Sequence, residues 1–273
     1  MKRLVYTFTA ALLLAGLLSC EDKETAPDPG VLVSQTTLGN VLTDESGRTL
    51  YFFANDTDGN SACTGNCLTN WPVFYRETMP NLATSLNAAD FSTITRADGT
   101  KQTAFRGWPL YYYAKDSKAG DLTGENVGNI WFVAKPDYSI MFANRQLVGH
   151  DGKNYTSDYK EGTGSTVFLT DGRGNTLYGF ARDKRNKNNY TRADFSNNAI
   201  WPIYEVTLKD IPSTLDRTQF GTIPVGNRTQ LTYKGWPLYY FGQDTKRGDT
   251  KGVSFPSPGI WPIIQKDTPV APE

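Results

Sequence analysis

One short stretch of sequence occurs four times in this chain, and it limits the possible folds more than any other feature. The stretch has the pattern Leu-Tyr-x-aromatic-x-x-Asp, and its copies begin at Leu50, Leu110, Leu177 and Leu238. A tryptophan follows each copy, 15 to 18 residues after the Asp. A pattern of this length does not recur four times by chance, so the sequence predicts a chain built from repeated structural units.

The four copies are called the first, second, third and fourth motif. Their candidate site residues, with a structural or a ligand-binding role, are Tyr51, Phe53 and Asp56, then Tyr111, Tyr113 and Asp116, then Tyr178, Phe180 and Asp183, and finally Tyr239, Phe241 and Asp244.

The two halves of the chain also align with each other. Residues 42–51 match residues 169–178 at an offset of 127, and residues 102–111 match residues 230–239 at an offset of 128. The six tryptophans form three matched pairs, Trp71 with Trp201, Trp108 with Trp236, and Trp131 with Trp261. We interpret the chain as a tandem duplication in which each half contains the motif twice.

Each repeat has the pattern of an antiparallel β-meander. Gly and Pro together number 40, and they separate short runs rich in aromatic and β-branched residues. In the second repeat the predicted strands are residues 102–105, 110–113 and 130–134. No window has a sustained helical period. The sequence predicts an all-β fold of four quasi-repeats, arranged as two β-domains or as one propeller-like ring.

The first 20 residues have the pattern of a bacterial lipoprotein signal. Lys2 and Arg3 give a positive start, and residues 4–18 form an apolar run that is too short to span a bilayer comfortably. The run ends in Ser19 and Cys20, so we expect Cys20 to be lipidated and to become the new N-terminus. An ordinary secretory signal with a chance cysteine is the alternative. Lipid chains on one cysteine would anchor the protein firmly in a membrane.

The charge pattern and the motif spacing define the predicted organisation of the chain. It comprises a signal peptide over residues 1–19, a lipidated tether over 20–32, a first repeat domain over 33–148, a connector over 149–164, a second repeat domain over 165–268 and a tail over 269–273. The tether is charged and then Pro-rich, which is typical of disordered linkers.

Composition excludes several classes of function. The 28 basic and 28 acidic residues form no basic stripe, so we expect no nucleic-acid partner. The chain contains one histidine, which makes a histidine-based metal site or a Ser–His catalytic unit difficult to build. We therefore expect no enzymatic activity, no metal and no cofactor.

These features together resemble the bacterial secreted-repeat lipoproteins of unknown function, which have a Tyr-x-aromatic-x-x-Asp motif. The resemblance covers about residues 33–268, and it includes the Gly-Trp-Pro-Leu-Tyr turns at 107–111 and 235–239 and the Cys-x-x-x-Cys segment within 63–72. It implies a cell-envelope lipoprotein without an established activity. The acidic run that follows Cys20, residues 21–24, resembles the surface-export signal of some Gram-negative lipoproteins, so we expect an outer-membrane anchor, with the periplasmic and the surface leaflet both open. The second half departs from the pattern because it has no cysteine pair.

Three sets of residues remain open to more than one interpretation. In an oxidising envelope Cys63 and Cys67 are expected to form a disulfide, with a redox-active pair or a metal site as alternatives. The motif Asp residues should accept N–H bonds from the loops that follow them, although oxygen-rich loops such as residues 56–60 could instead bind a cation. The motif aromatic residues should pack in the core, although exposed rings could stack on sugars or lie near a redox cofactor.

The sequence therefore predicts a lipid-anchored envelope protein of unknown molecular function. A non-catalytic binding or structural module is the first hypothesis, with a membrane contact through the N-terminal lipid and an unknown protein or glycan partner. An accessory protein in envelope redox or metal handling is the first alternative, and a glycan-binding module is the second.

Overall fold

The structure is a computed structural model that describes Met1, residues 30–79 and residues 82–273. The predicted signal peptide, the lipidation site Cys20 and nearly all of the predicted tether lie outside the described residues. Within those ranges no helix has both the length and the apolar character needed to cross a membrane.

Strands and loops make up almost all of the described chain, which confirms the predicted all-β class. The strands are β1 (Leu32–Thr36), β2 (Gly39–Thr43), β3 (Tyr51–Phe53), β4 (Phe91–Thr95), β5 (Lys101–Phe105), β6 (Trp108–Pro109), β7 (Trp131–Val133), β8 (Ile140–Val148), β9 (Asn154–Tyr155), β10 (Ser165–Asp171), β11 (Phe220–Val225), β12 (Arg228–Tyr233) and β13 (Trp236–Pro237). In the described residues one short α-helix, α1 (Asn66–Asn70), occurs together with five 3-10 turns, Ala54–Asp56, Ala88–Asp90, Val127–Asn129, Arg217–Gln219 and Lys251–Ser254.

The strands form five small sheets. Their orders are β1-β2, β3-β7, β4-β5-β6, β10-β8-β9 and β11-β12-β13, and every pairing within them is antiparallel. Among the described residues none of these sheets closes into a barrel.

The duplication is visible in two matching meanders, β4-β5-β6 and β11-β12-β13. In each meander a two-residue turn joins the last two strands, and both residues of the turn have positive φ, 48° and 81° at Arg106 and Gly107, and 50° and 83° at Lys234 and Gly235. Turns of this type match the right-handed twist of a β-hairpin, and they require a positive φ at both central residues. Gly adopts a positive φ without steric cost, which explains its presence at the second position.

The strands of the motifs pair between repeats. β3, from the first motif, pairs with β7, which follows the second motif. The strand predicted over residues 110–113 is wrong: the structure places the paired strand at β6, and Tyr111 forms only isolated bridges, with Tyr51 and Val73. Each half is therefore held together by contacts between its two motifs, in addition to local meanders.

One large core cluster contains apolar side chains from both halves. It includes Leu42 and Phe52 from the first half and Leu169 and Leu177 from the second. The central strand β8 contributes Phe142 to this cluster and pairs with β10 over seven residues. Two further clusters, one in each half, are rich in Tyr and Trp. Burial of this apolar surface is the main force that holds the halves together.

The two Gly-Trp-Pro turns have different partners. Trp108 is fully buried, and its Nε1 donates a hydrogen bond to the Gly172 carbonyl in the second half at 3.0 Å. Trp236 is partly exposed, and its Nε1 donates instead to the Pro269 carbonyl in the tail at 2.8 Å. The turn of the first half therefore packs against the second half, whereas the equivalent turn of the second half is covered by the tail.

Candidate functional site

The tyrosines of two motifs face each other at the centre of each half. The backbone N–H groups of Tyr51 and Tyr111 donate to each other's carbonyl oxygens at 2.8 and 3.1 Å. Tyr178 and Tyr239 exchange the same two bonds, both at 2.9 Å. This reciprocal arrangement is the hydrogen-bonded pair of an antiparallel ladder, and it relates the two motifs by an approximate twofold axis.

The hydroxyl group of each of these tyrosines binds the Asp of the other motif in its pair, an arrangement that we call the side-chain exchange. Tyr51 Oη donates to Asp116 Oδ2 at 2.6 Å, so the hydroxyl of the first motif binds the carboxyl group of the second. Tyr111 Oη donates to Asp56 Oδ2 at 2.6 Å and completes the exchange. Each motif therefore donates a hydrogen bond from its tyrosine to the paired motif and accepts one with its Asp.

The second half repeats this exchange. Tyr178 Oη donates to Asp244 Oδ2 at 2.6 Å, and Tyr239 Oη donates to Asp183 Oδ2 at 2.8 Å. Because two halves with different loops build the same four-residue unit, the exchange is a property of the motif rather than of one local sequence.

The second oxygen of each motif carboxyl group accepts a backbone N–H from the loop that follows. The donors are Ala62 for Asp56 at 2.7 Å, Thr123 for Asp116 at 3.0 Å, Asn189 for Asp183 at 2.7 Å and Lys251 for Asp244 at 2.9 Å. Each Asp thus links the loop that follows it to the tyrosine of the paired motif. Its second oxygen also gives the loop N–H an acceptor, and a buried N–H without one would be costly.

Burial strongly affects three of these carboxyl groups. It raises the pKa of Asp56, Asp183 and Asp244 to about 7 each, although the hydrogen bonds from tyrosine hydroxyls and backbone N–H groups lower the pKa in part. Burial also raises the pKa of the tyrosines that bind them, so these phenols stay protonated at neutral pH.

We expect the protein to lose stability as the pH rises from about 5 to about 8. The pKa of Asp56, Asp183 and Asp244 is raised from 3.8 to about 7 in the folded state, so the folded chain binds more protons than the unfolded chain in this range. The stabilisation is fully present below the unfolded pKa and is lost as the pH passes the folded pKa. Thermal unfolding at several pH values measures this slope.

The matched control for the pH effect is the triple variant Asp56→Asn, Asp183→Asn and Asp244→Asn, in which the slope should become shallower because the amides do not titrate. A melting temperature that rises or stays level between pH 5 and pH 8 in the unsubstituted protein would contradict this account of the three carboxyl groups.

A column of four stacked rings lies beside the tyrosines of the first half. Phe53 stacks on Trp131 with ring centroids 4.0 Å apart, Trp131 on Trp71 at 3.7 Å, and Trp71 on Tyr113 at 4.3 Å. The two tryptophan planes are inclined by only 2°. The column therefore alternates between the motifs, with a motif residue at each end and the repeat tryptophans between them.

The second half contains an equivalent column. Its centroid distances are 4.5 Å from Phe180 to Trp261, 3.7 Å from Trp261 to Trp201 and 4.4 Å from Trp201 to Phe241. Each motif tyrosine adds an edge-on contact to a tryptophan, for example Tyr178 with Trp201 at 5.4 Å. Such contacts stabilise an aromatic core beyond the area that it buries.

Two glycines allow this close packing. A Cβ atom on Gly124 would lie 2.8 Å from the Tyr51 ring and 2.9 Å from Trp71, and a Cβ on Gly252 would meet Tyr178 and Trp201 at similar distances. The sequence places both glycines in the polar loops before a tryptophan but gives no sign of this role. The stacking of the repeat tryptophans was likewise missed, although their recurrence 15 to 18 residues after each motif Asp was a signal.

Cys63 and Cys67 form a disulfide, as predicted. The pair lies next to the first aromatic column, and the carbonyl oxygen of Cys63 accepts a hydrogen bond from Arg96 at 2.6 Å. In the second half, where no cysteine pair exists, the side chain of Asn188 binds Gln230 instead at 2.8 Å. This hydrogen bond helps to hold the loop after the third motif, which has no disulfide.

The loop proposed as a possible cation site, residues 56–60, uses its carboxyl groups in other contacts. Asp56 is fully buried and bound by Tyr111 and Ala62, and Asp58 lies 3.2 Å from the guanidinium of Arg145. In the part of the chain that the structure describes, no three His, Cys, Asp or Glu side chains are grouped so that they could hold a metal ion.

The fold and these sites define an all-β protein in which paired motifs build each half of a duplicated chain. A family model described as a secreted repeat of unknown function matches residues 32–75, 92–135 and 227–265, and the chain belongs to this family. The first, second and fourth motifs fall within the matched segments, while the third lies outside them. No curated protein and no solved structure matches the chain.

Proposed function

We propose that this secreted-repeat protein is a lipid-anchored protein of the cell envelope that acts as a non-catalytic binding module. The observation that carries the proposal is that the motif side chains bind one another inside the fold. In both halves the motif tyrosines bind the motif carboxyl groups, and the remaining carboxyl oxygens bind loop N–H groups. The repeated residues therefore build a framework, and recognition falls to the surfaces on which the halves differ.

The proposed location follows from the start of the chain. The apolar run that ends at Cys20 supports lipidation and export, and the family description as a secreted repeat agrees with an address outside the cytoplasm. Attachment to the outer membrane and exposure on the cell surface belong to this proposal.

A role in envelope redox chemistry is the second candidate. It is favoured by the short contacts between tyrosine hydroxyls and carboxyl groups beside two stacked tryptophan pairs. A glycan-binding role through the motif aromatics has less support, because the rings of Phe53, Trp71 and Trp131 stack on one another and are buried.

The anchor is tested by the variant Cys20→Ser expressed in a bacterium with its own lipoprotein pathway. The unsubstituted protein should sediment with membranes and partition into detergent, and the variant should move almost completely to the soluble envelope fraction. The double variant Cys63→Ser, Cys67→Ser is the matched control and should stay with membranes. Membrane association of Cys20→Ser equal to that of the unsubstituted protein would contradict the proposal.

A further inference from the structure

The two halves form the same turn before the first and the third motif, at residues 44–48 and 171–175, but three of its five side chains differ, including the last one. In the first half Asp44 Oδ1 accepts the backbone N–H of Arg48 at 2.9 Å. In the second half Asp171 Oδ1 accepts the backbone N–H of Asn175 at 2.9 Å. Arg48 and Asn175 therefore occupy equivalent positions, and the duplication gives an internal comparison between a cationic and a neutral side chain.

A tyrosine from the paired motif completes both turns. Tyr112 Oη donates to Asp44 Oδ2 at 2.9 Å, and Tyr240 Oη donates to Asp171 Oδ2 at 2.9 Å. The carboxyl group, the phenol and their contact are the same in the two halves. Any difference in what these groups can bind must therefore come from the residues around them.

In the first half the tyrosine ring is covered by a guanidinium group of the chain itself. The Cζ atom of Arg48 lies 3.8 Å from the centroid of the Tyr112 ring, and Arg48 Nε donates to Asp44 Oδ2 at 3.0 Å. A planar cation over an aromatic face, with a carboxylate at its edge, is a favourable arrangement that arginine forms better than lysine.

In the second half this guanidinium is replaced by a neutral and shorter group. Asn175 Nδ2 donates to Asp171 Oδ2 at 2.8 Å, which takes over the hydrogen bond but brings no charge. Tyr240 is partly exposed, and a cavity of about 220 Å³ adjoins it. The corresponding cavity beside Arg48 and Tyr112 is smaller, about 100 Å³.

The described lining of the cavity beside Tyr240 contains no charge that would repel a cation. Its described lining consists of Asn175, Thr176, Tyr240, Phe241 and Asp244, which include one carboxyl group and no basic side chain. The nearby Lys251 is already engaged, because its Nζ contacts the Gln243 carbonyl and the Asp249 carboxyl group, both at 3.0 Å.

A second guanidinium of the first half is also absent from the second. Arg76 forms an ion pair with Glu45 in the first half, and by alignment Val206 and Gly172 stand at these positions in the second. Both replacements line a larger cavity of about 390 Å³ that reaches Tyr240 as well. Three basic side chains also line this cavity, and each is paired with a carboxyl group: Arg106 and Arg173 with Asp90, and Lys209 with Asp137. The second half thus lacks counterparts of Arg48 and Arg76 but has the same tyrosine–carboxyl pair, and its own Arg173 points to Asp90 instead.

We propose that the cavity beside Tyr240 binds a guanidinium group supplied by a ligand, in the place that Arg48 fills in the first half. The inference rests on the proposed function as a binding module and names the chemistry of its ligand, an arginine side chain. The ring of Tyr240 stacks on the guanidinium plane, and the carboxyl group of Asp171, which Tyr240 Oη contacts at 2.9 Å, supplies the complementary charge.

Calorimetric titration of the full chain in detergent with N-acetyl-arginine amide tests the proposal. We expect saturable binding of one equivalent, and at least tenfold weaker binding of the neutral isostere N-acetyl-citrulline amide. The variant Asn175→Arg should fill the cavity from within, keep the fold and lose the binding at least tenfold. The variant Arg48→Asn should open the equivalent place in the first half and raise the stoichiometry to two.

Equal binding of the arginine and citrulline probes, absence of binding to the unsubstituted protein, or unchanged binding to Asn175→Arg would each overturn the proposal. These results concern the cavity alone, since the Cys20→Ser fractionation tests the membrane anchor separately. Free L-arginine as a second probe distinguishes the sources of the group. A site for peptide-borne arginine should bind the capped amide at least as tightly as the free amino acid.

Discussion

Replacing Trp201 with alanine should destabilise the protein by about 3–5 kcal/mol, the range typical for removal of a large aromatic side chain from a core. Trp201 is 1% exposed and lies between two rings, Trp261 at 3.7 Å and Phe241 at 4.4 Å. The substitution removes both stacking contacts and the edge contact with Tyr178, and it leaves a cavity inside the aromatic column. Urea unfolding followed by circular dichroism measures the loss.

The matched control for this substitution is Trp236→Ala. Trp236 is partly exposed, and it contacts the tail rather than an aromatic column. Its removal should therefore cost clearly less than the removal of Trp201. Equal losses for the two variants would show that the column is not a main source of stability in the second half.

Removing a motif carboxyl group is expected to have the second largest effect. Asp244→Ala leaves the hydroxyl of Tyr178 and the backbone N–H of Lys251 without their acceptor, and such buried unpaired groups cost about 1–3 kcal/mol. Asp116→Ala should fall in the same range, because it leaves the hydroxyl of the buried Tyr51 without its acceptor, while the exposed N–H of Thr123 can bind water.

The control for the carboxyl substitutions is Asp267→Ala, an exposed residue whose removal should change the free energy of unfolding by less than about 0.5 kcal/mol. The melting temperatures of all three variants give the comparison. If both motif variants melt like the unsubstituted protein, the motif carboxyl groups do not stabilise the fold, and a ligand-binding role for them becomes the better explanation.

The repeated units of the fold could be predicted because the same sequence motif recurs along the chain. The recurrence of Leu-Tyr-x-aromatic-x-x-Asp predicted equivalent units, and the Gly-Trp-Pro turns at Trp108 and Trp236 predicted hairpins that the structure contains. The disulfide could be predicted from a short cysteine spacing in an exported chain. These features depend on local chemistry, which a sequence contains directly.

The pairing between motifs could not be predicted in the same way. Nothing in the first motif states that Tyr51 binds Asp116 instead of the Asp of its own motif, because this choice is made by packing between segments 65 residues apart. The stacking of Trp71 on Trp131 has the same origin. Long-range contacts of this kind follow from the whole core and are not visible in a local pattern.

The differences between the halves were visible in the alignment but had no meaning without the structure. Arg48 and Asn175 are simply unlike residues at equivalent positions until the ring of Tyr112 is found beneath the guanidinium. In the same way, Trp108 and Trp236 occupy identical turns, and only the fold shows that one contacts the second half and the other the tail.

The exchange of side chains between paired motifs is the central claim, and a double-mutant cycle tests it most directly. Tyr178→Phe combined with Asp244→Ala should show a coupling energy of about 1–2 kcal/mol, because the two side chains share a hydrogen bond. Tyr178→Phe combined with Asp183→Ala, a pair from one motif, should be additive within about 0.5 kcal/mol. Strong coupling within the motif and additivity across the motifs would contradict the account.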